Sequence, residues 1–261
     1  MNICKLLLEL CSWQYEEGYR SFGRWRLLIH DERQTRLSGL DGRLADMGLE
    51  PEMIVFASRH EAKAGLPWLG GHFTGMLQDG QYALSAACAS GLRSFLHILH
   101  NISLPGFAVS AEATHHGPVD LNTPCFFAEI GSTMKEWQDR QAAEAVARAI
   151  LALECRDLPV FLGFGGGHYV ARQTELIFEA DVAFGHLFSN YQMAGVNRDV
   201  VEEAIRKSNA SYAYLDRKSL RSSERKRIEG LLAEAGLPAL RSREIRAKFP
   251  VGGVESGINM Y

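Results

Sequence analysis

PVFLGFGGGH, residues 159–168, is the clearest indication of the fold class. Its first six residues form a continuous apolar run, and three glycines and a histidine follow directly. A short apolar run of this kind is typical of a strand that is buried on both faces of a sheet. Similar strands are predicted at residues 53–58, 82–88, 107–113, 125–130, 181–188 and 211–216.

Amphipathic helices alternate with these strands. The clearest is predicted at residues 133–154, where Thr133 and Glu136 have the spacing of a capping box and apolar residues recur every three or four positions. Two more helices are predicted at residues 199–207 and 222–235. The alternation predicts an α/β fold with a layered sheet and helices on both faces.

The chain of 261 residues shows no linker and no internal repeat. We therefore predict a single α/β domain over residues 1–249 and a loose tail with three glycines over residues 250–261. No apolar run is long enough to span a membrane. The five cysteines form no C-x-x-C pair, which argues against a disulfide framework. These features predict a soluble cytoplasmic protein with no membrane association and no obligate protein partner.

Charge is unevenly distributed along the chain. The net charge of −3 excludes a general nucleic-acid binder. Residues 206–248, however, contain twelve Lys and Arg against five Asp and Glu, a local balance of +7 that leaves −10 for the rest. This asymmetry favours a C-terminal surface that meets phosphates, and a pair of ordinary solvated helices is the alternative.

Histidines are the main functional signal. Six of the nine follow a predicted strand or lie beside glycines: His60, His72, His115, His116, His168 and His186. Ligands of α/β proteins gather beyond the carboxyl ends of strands, so several of these side chains are expected to converge. Imidazole is the commonest metal ligand and a general base near neutral pH. A lone histidine is more often a surface or core residue, but the shared placement of these six favours a site.

Two carboxylates accompany the histidines. Glu112 lies just before His115, and Glu129 lies inside an apolar strand. A buried carboxylate must be paired, bound to metal or protonated, so Glu129 is a candidate general base or metal ligand. A structural hydrogen bond is the equal alternative. Histidines and carboxylates together suit one or two zinc ions, although the zinc-binding H-E-x-x-H spacing is absent.

The glycines at Gly165, Gly166 and Gly167 precede His168 directly. They match neither a phosphate-binding P-loop nor a dinucleotide fingerprint. Their backbone amides are therefore predicted to form an oxyanion or substrate loop. The sequence has no G-x-S-x-G motif and no cysteine beside a candidate base, which favours a water nucleophile activated by metal or by histidine.

Several motifs resemble the archaeal and plant type of D-aminoacyl-tRNA deacylase. They are FASRH (56–60), GHFTG (71–75), EATHHGP (112–118), AEIGS (128–132), GGGHY (165–169) and AFGH (183–186). The resemblance runs from about residue 2 to residue 236, and EATHHGP is its most specific part. The family pattern includes one more strand before the segment that matches residues 1–3, so the chain departs from it there.

The resemblance implies hydrolysis of the ester between a D-amino acid and the terminal ribose of tRNA. It also implies a zinc-dependent enzyme with two ions per subunit and a fold related to phosphorylases and zinc exopeptidases. The motifs do not separate ligands from bases. We take Glu129 and His168 as catalytic candidates, and the candidate metal ligands are His60, His72, Glu112, His115, His116 and His186.

The expected mechanism is attack of a zinc-activated water on the ester carbonyl. The basic residues predicted to hold tRNA phosphates are Lys218, Arg221, Arg225 and Lys226. Two alternatives remain open from the sequence. One is a zinc-dependent amidohydrolase or peptidase that acts on small molecules, and the other is a non-catalytic tRNA-binding protein.

Overall fold

A computed structural model of the protein describes residues 2–78 and 81–252. The strands in this part of the chain are β1 (Gln14–Glu16), β2 (Tyr19–Phe22), β3 (Trp25–Leu27), β4 (Ile54–Arg59), β5 (Trp68–His72), β6 (Gly75–Gln78), β7 (Gln81–Leu84), β8 (Ala108–Ala111), β9 (Cys125–Gly131), β10 (Val160–Phe164), β11 (Ala183–Phe188), β12 (Tyr212–Leu215) and β13 (Ala239–Leu240). The α-helices are α1 (Asn2–Leu10), α2 (Leu40–Asp46), α3 (Ala89–Ile102), α4 (Met134–Trp137), α5 (Arg140–Leu151), α6 (Ala171–Glu179), α7 (Arg198–Ser208), α8 (Ser222–Glu234) and α9 (Ser242–Lys248).

Two four-stranded sheets form the centre of the fold. One has the order β11-β10-β12-β13, and its strands are all parallel. The other has the order β4-β9-β5-β8, with β5 antiparallel to β9 and the other two pairs parallel. The predicted α/β class is thereby confirmed, and the antiparallel pair makes the second sheet mixed.

The chain that follows β8 connects the two sheets. The Glu112 amide donates to the Gly71 carbonyl at 3.0 Å, which extends the pairing with β5. The next two amides turn to the other sheet, because Ala113 donates to the His168 carbonyl at 2.8 Å and Thr114 to the Leu187 carbonyl at 2.7 Å. These three hydrogen bonds fix the position of residues 112–114 relative to both sheets.

Helices cover both faces of the parallel sheet. Phe161 of β10 belongs to a hydrophobic cluster that contains buried residues of α3, α5 and α6. Its neighbour Leu162 points the other way, into a cluster with residues of α7 and α8. This alternation is the burial pattern that the apolar run at residues 159–164 predicts. Removal of so much apolar surface from water drives the association of sheet and helices.

The predicted helix at residues 133–154 is two helices. The capping box of Thr133 and Glu136 is present, but it caps only the short α4. Asp139 then takes an extended conformation, and its side chain accepts a hydrogen bond from the Ala142 amide at 2.9 Å, which starts α5. An aspartate that caps the next helix in this way competes with continuation of the previous one.

The ends of the chain and one predicted strand also differ from expectation. The strand predicted at residues 82–88 ends at Leu84, and Cys88 directly precedes α3. The described residues begin with α1, whose buried side chains pack into the same cluster as α5. Of the predicted tail, Pro250 pairs with Ala180, and residues 253–261 lie outside the described residues. Among the helices of the described chain, none combines the length and apolarity needed to cross a membrane.

Candidate active site

Four strand ends and the junction between the two sheets position the site. His60 follows β4, His72 ends β5, and His168 lies beyond β10. Glu112, His115 and His116 follow β8 along the junction between the sheets. The predicted convergence of these side chains is observed, since ring centroids of neighbouring histidines lie 3.9–5.9 Å apart.

His72, His115 and His116 form a three-histidine group. Each Nδ1 lies within hydrogen-bond distance of a backbone carbonyl: Phe73 at 3.0 Å, Ala113 at 2.7 Å and Gly117 at 2.7 Å. A carbonyl oxygen can only accept, so each Nδ1 carries the proton and each Nε2 keeps its lone pair. The backbone therefore fixes the same tautomer in all three rings.

The lone pairs of the three-histidine group converge. One nitrogen from each ring lies within 4.8 Å of the others. Burial lowers the pKa of all three imidazoles, that of His115 to about 3, so they are neutral at pH 7. Nε2 of His72 is buried and has no hydrogen-bond partner among the described residues. Three neutral imidazoles, one of them with an unpartnered buried nitrogen, form a donor set that suits a metal ion.

His60, Glu112 and His168 form a second group, the His60–Glu112–His168 group. His60 Nδ1 lies 3.3 Å and His168 Nε2 3.0 Å from Oε1 of Glu112. The His168 side chain is 43% exposed, so this group opens to solvent. Contact with the Glu112 carboxylate raises the pKa of His168, against the effect of burial. Burial lowers the pKa of His60, and the Glu112 charge opposes that effect.

Glu129 lies between the two groups. Its Oε2 is 3.7 Å from His72 Nε2 and 3.8 Å from His60 Nδ1. Burial, and then the charge of Glu112, raise the pKa of the Glu129 carboxyl to about 8. Gly70 of β5 is its register partner, and a Cβ there would come within 2.0 Å of the Ser110 carbonyl, so no side chain fits at that position.

These residues fit a metal ion or a pair of ions. Oε2 of Glu112 is buried and has no hydrogen-bond partner within the described chain, whereas Oε1 faces His60 and His168. Three groups of potential ligands result, and they share members: His72–His115–His116, His60–Glu112–His168 and His72–Glu112–Glu129. Nitrogen and carboxylate oxygen are the donors that zinc accepts. A buried carboxylate oxygen that has no hydrogen-bond partner is costly unless a cation compensates its charge.

Strained backbone marks both sides of the site. His116 has a φ of +39°, and Val170, two residues after His168, has a φ of +36°. Non-glycine residues rarely take this left-handed conformation, and for a β-branched valine it is especially unfavourable. Such strain is kept where the surrounding structure holds a side chain in a required place.

Sequence reasoning missed the aromatic residues around His60. The Tyr169 hydroxyl lies 3.1 Å from His60 Nε2, and the rings of Trp68 and His60 are 4.8 Å apart. The indole of Trp137 donates to the His60 carbonyl at 2.8 Å. The position of Tyr169 directly after His168, and of Trp68 before the Gly70-Gly71 pair, was the available signal.

Two sequence predictions are not brought into the site as expected. His186 is fully buried outside the three groups, and its ring nitrogens lie 3.1 Å from the Thr114 hydroxyl and 3.0 Å from the Ser85 carbonyl. The amides of Gly165 and Gly166 are already engaged, by the Phe188 carbonyl and the Ser219 hydroxyl. These two amides therefore cannot donate to an oxyanion, because the fold uses them to hold the loop.

Two of the predicted basic residues, Lys218 and Arg221, flank Ser219, whose hydroxyl contacts the glycine loop. Ser219 donates to the Asp216 carbonyl and accepts from the Gly166 amide, so the segment before α8 is fixed against Gly165–Gly167. Lys218, Arg221 and Lys226 are exposed there. Arg225 is half-buried, with its Nε shielded from solvent. The segment that carries Lys218 is thus held against the glycine loop that precedes His168.

The fold and the cluster of histidines and carboxylates define an α/β protein with a candidate metal-binding active site. A family model described as D-aminoacyl-tRNA deacylase matches residues 47–240. The chain belongs to the D-aminoacyl-tRNA deacylase family.

Individual relatives agree with this family. A D-aminoacyl-tRNA deacylase of Methanothrix thermoacetophila is 46% identical over 250 residues, which is 94% of each chain. One of Methanosarcina barkeri is 39% identical over 267 residues, covering 95% of this chain and 87% of the relative. The fold is similar to the crystal structure of a conserved protein of unknown function, with a TM-score of 0.84, 30% identity and coverage of 96% of this chain and 94% of that one.

Proposed function

We propose that this enzyme hydrolyses the ester that joins a D-amino acid to the terminal ribose of tRNA, releasing both. One observation carries the proposal. A three-histidine group and the half-open His60–Glu112–His168 group meet around two carboxylates, in a chain of the D-aminoacyl-tRNA deacylase family. The proposal includes a cytoplasmic location, because aminoacyl-tRNA is made and used there.

The proposal includes zinc as the cofactor, with two ions per subunit. Nε2 atoms of the three-histidine group would hold one ion, and His60 and Glu112 would hold the other. Zinc in such a site lowers the pKa of a water toward about 7 and polarises a carbonyl oxygen. The unpartnered Oε2 of Glu112 supports its part in this donor set.

The chain's own residues supply proton transfer. Glu129 is buried between His60 and His72, and its pKa of about 8 would fall beside a bound cation, so that its carboxylate could take the proton of the attacking water. His168 reaches solvent and is held at Glu112, so it can give a proton to the leaving ribose oxygen. Each transfer of this kind contributes about 10²–10⁴-fold to the rate. His186 keeps the Thr114 segment in place and has a structural role in this proposal.

Basic residues next to the glycine loop would position the RNA. Lys218, Arg221, Arg225 and Lys226 would contact tRNA phosphates, which fixes orientation without reading sequence. This arrangement suits an enzyme that accepts many tRNAs. Amide donors for the developing oxyanion would come from Gly167 rather than from Gly165 or Gly166, whose amides are engaged.

The test is release of labelled D-tyrosine from D-tyrosyl-tRNA, measured beside the L-ester and with a strong chelator. We expect cleavage of the D-ester only, loss of activity after the chelator and recovery with zinc. The His100→Gln variant, changed at an exposed histidine of α3, is the matched control and should behave as the wild type. Cleavage of neither ester would overturn the proposed function. D-specific cleavage by protein shown to be free of metal would remove only the role of zinc.

A further inference from the structure

Tyr191 is an exposed aromatic residue beside the site. It lies in the short 3-10 helix Asn190–Gly195, and its exposed fraction of 86% is the highest among the large apolar residues of the described chain. A large aromatic side chain held in water gains nothing for the fold. Neither the proton transfers nor the metal donor set described above uses it.

Hydrogen bonds from the two neighbours of Tyr191 fix its backbone to the site. The Asn190 amide donates to the Gly166 carbonyl at 2.9 Å, two residues from His168. On the other side, Nε2 of Gln192 donates to the Thr114 carbonyl at 2.6 Å, next to His115. The exposed ring is therefore carried on a rigid piece of chain that is anchored to both histidine groups.

The same piece of chain is joined to the segment that carries Lys218. Nδ2 of Asn190 donates to the Ser219 carbonyl at 3.2 Å, and the Ser219 hydroxyl oxygen lies 3.3 Å from Asn190 Oδ1. Lys218 and Arg221 flank Ser219 closely in sequence, and neither makes an ion pair within the described residues. Arg217, by contrast, is neutralised by Glu229. Unpaired positive charge and an exposed aromatic ring are thus placed together.

We propose that Tyr191 stacks on an unpaired base of the single-stranded 3′ end of tRNA, while Lys218 and Arg221 contact the adjoining phosphates. Aromatic rings beside basic residues are the usual platform for single-stranded RNA, and stacking tolerates any base because every base has a π face. The stacked end would bring the terminal ester toward His168 and Glu112. This inference rests on the proposed function and adds a positioning residue to it.

The experiment measures binding of uncharged tRNA by fluorescence anisotropy at fixed salt. We expect Tyr191→Ala to raise Kd about tenfold and Tyr191→Phe to stay within about twofold of the wild type, because the ring and not the hydroxyl makes the stack. Tyr15→Ala, which removes another exposed tyrosine in β1, is the matched control and should leave Kd unchanged. With D-tyrosyl-tRNA, Tyr191→Ala should raise KM by a similar factor and leave kcat unchanged.

A second ligand, tRNA trimmed of its single-stranded 3′ end, locates the contact. Wild type and Tyr191→Ala should bind it equally. Equal Kd values for intact tRNA, a Tyr191→Phe variant as weak as Tyr191→Ala, or an effect that persists with trimmed tRNA would each overturn the inference. Failure of the proposed function gives a different result: binding would depend on Tyr191 while no ester is cleaved. Cleavage of the D-ester with a KM indifferent to Tyr191 would sink only the stacking.

Discussion

The three-histidine group and the His60–Glu112–His168 group lie side by side but differ in what faces each ring. In the first group every Nδ1 faces a backbone carbonyl, which fixes the proton there. In the second, His60 and His168 face the Glu112 carboxylate, whose charge favours the protonated ring. Burial lowers the pKa of His115 to about 3, whereas Glu112 raises the pKa of His168.

This difference shows how one kind of side chain serves two purposes. Neutral rings with fixed tautomers offer permanent lone pairs, which suits the holding of a cation. A half-exposed ring beside a carboxylate gains and loses its proton near neutral pH, which suits proton transfer. Four substitutions test this difference between the two groups, and they are given in order of decreasing expected effect.

His115→Asn should have the largest effect. It removes one of three converging lone pairs, so we expect loss of bound metal and a fall in D-ester cleavage of about 10³-fold or more. Metal content by mass spectrometry and single-turnover cleavage are the measurements. His100→Gln should keep both at wild-type levels. Full activity in a folded His115→Asn protein would show that the three-histidine group is only structural.

His168→Gln should lower kcat/KM by about 10²-fold and change the pH profile. Because the pKa of His168 is raised, its protonated form persists above pH 6.5, and a proton donor of this kind loses activity as pH rises through its pKa. The wild type should show that falling limb in a plot of kcat/KM against pH, and the variant should lack it. An unchanged limb in the variant would assign it to another group.

Tyr169→Phe should reduce metal affinity or activity by about 10- to 100-fold, the usual effect of removing an outer partner of a ligand. The Tyr169 hydroxyl is the partner of His60 Nε2, so it orients the ring and sets which nitrogen faces Glu112. Tyr212→Phe removes a hydroxyl that bonds Lys248 away from the site and is the matched control. Identical behaviour of the two variants in metal titration would show that the ring of His60 needs no such support.

His186 is buried but lies outside the groups of candidate metal ligands, so it shows the effect of burial alone on a histidine pKa. Its pKa is about 4 because of burial, so the unfolded chain binds a proton below pH 6.5 that the folded chain refuses until about pH 4. Stability from this group is present above pH 6.5 and is lost as pH falls through that window, on the order of 3 kcal/mol in all.

The free energy of unfolding of metal-free protein, followed by urea titration from pH 7 to pH 4, measures this loss. His186→Gln keeps a polar side chain but cannot be protonated, so its stability should fall less steeply over the same range. Parallel curves for wild type and variant would mean that His186 already binds its proton in the folded state.

Much of the fold could be predicted from local pattern. The apolar runs before Gly165 and around Glu129 became β10 and β9, and the capping box at Thr133 is present. The predicted helix at residues 133–154 failed at Asp139, because a side chain that can cap competes with helix continuation and the periodicity does not register this. The sequence also gave no indication that β5 lies between β9 and β8 and pairs antiparallel with β9.

The candidate site was partly predictable for the same reason. Placement after strands predicted that the rings of His60, His115 and His168 converge, and the His168 ring centroid lies 5.9 Å from that of His60 and 4.9 Å from that of His115. The same rule also placed His186 among the site residues, although its ring contacts Thr114 and Ser85 instead. Tyr191 gave no signal at all, since its importance arises from the hydrogen bonds of its neighbours to distant loops.

The class of fold, the family and the set of residues able to do chemistry could be read from the sequence alone, because apolar periodicity and motifs are local properties of the chain. The groups that each of those residues contacts are known only from the tertiary structure. A carbonyl faces Nδ1 of His72, a carboxylate faces His168, and Ser219 occupies the Gly166 amide. Tautomer, pKa and free hydrogen-bond capacity depend on such neighbours, which strand register and chain crossings bring together from distant parts of the sequence.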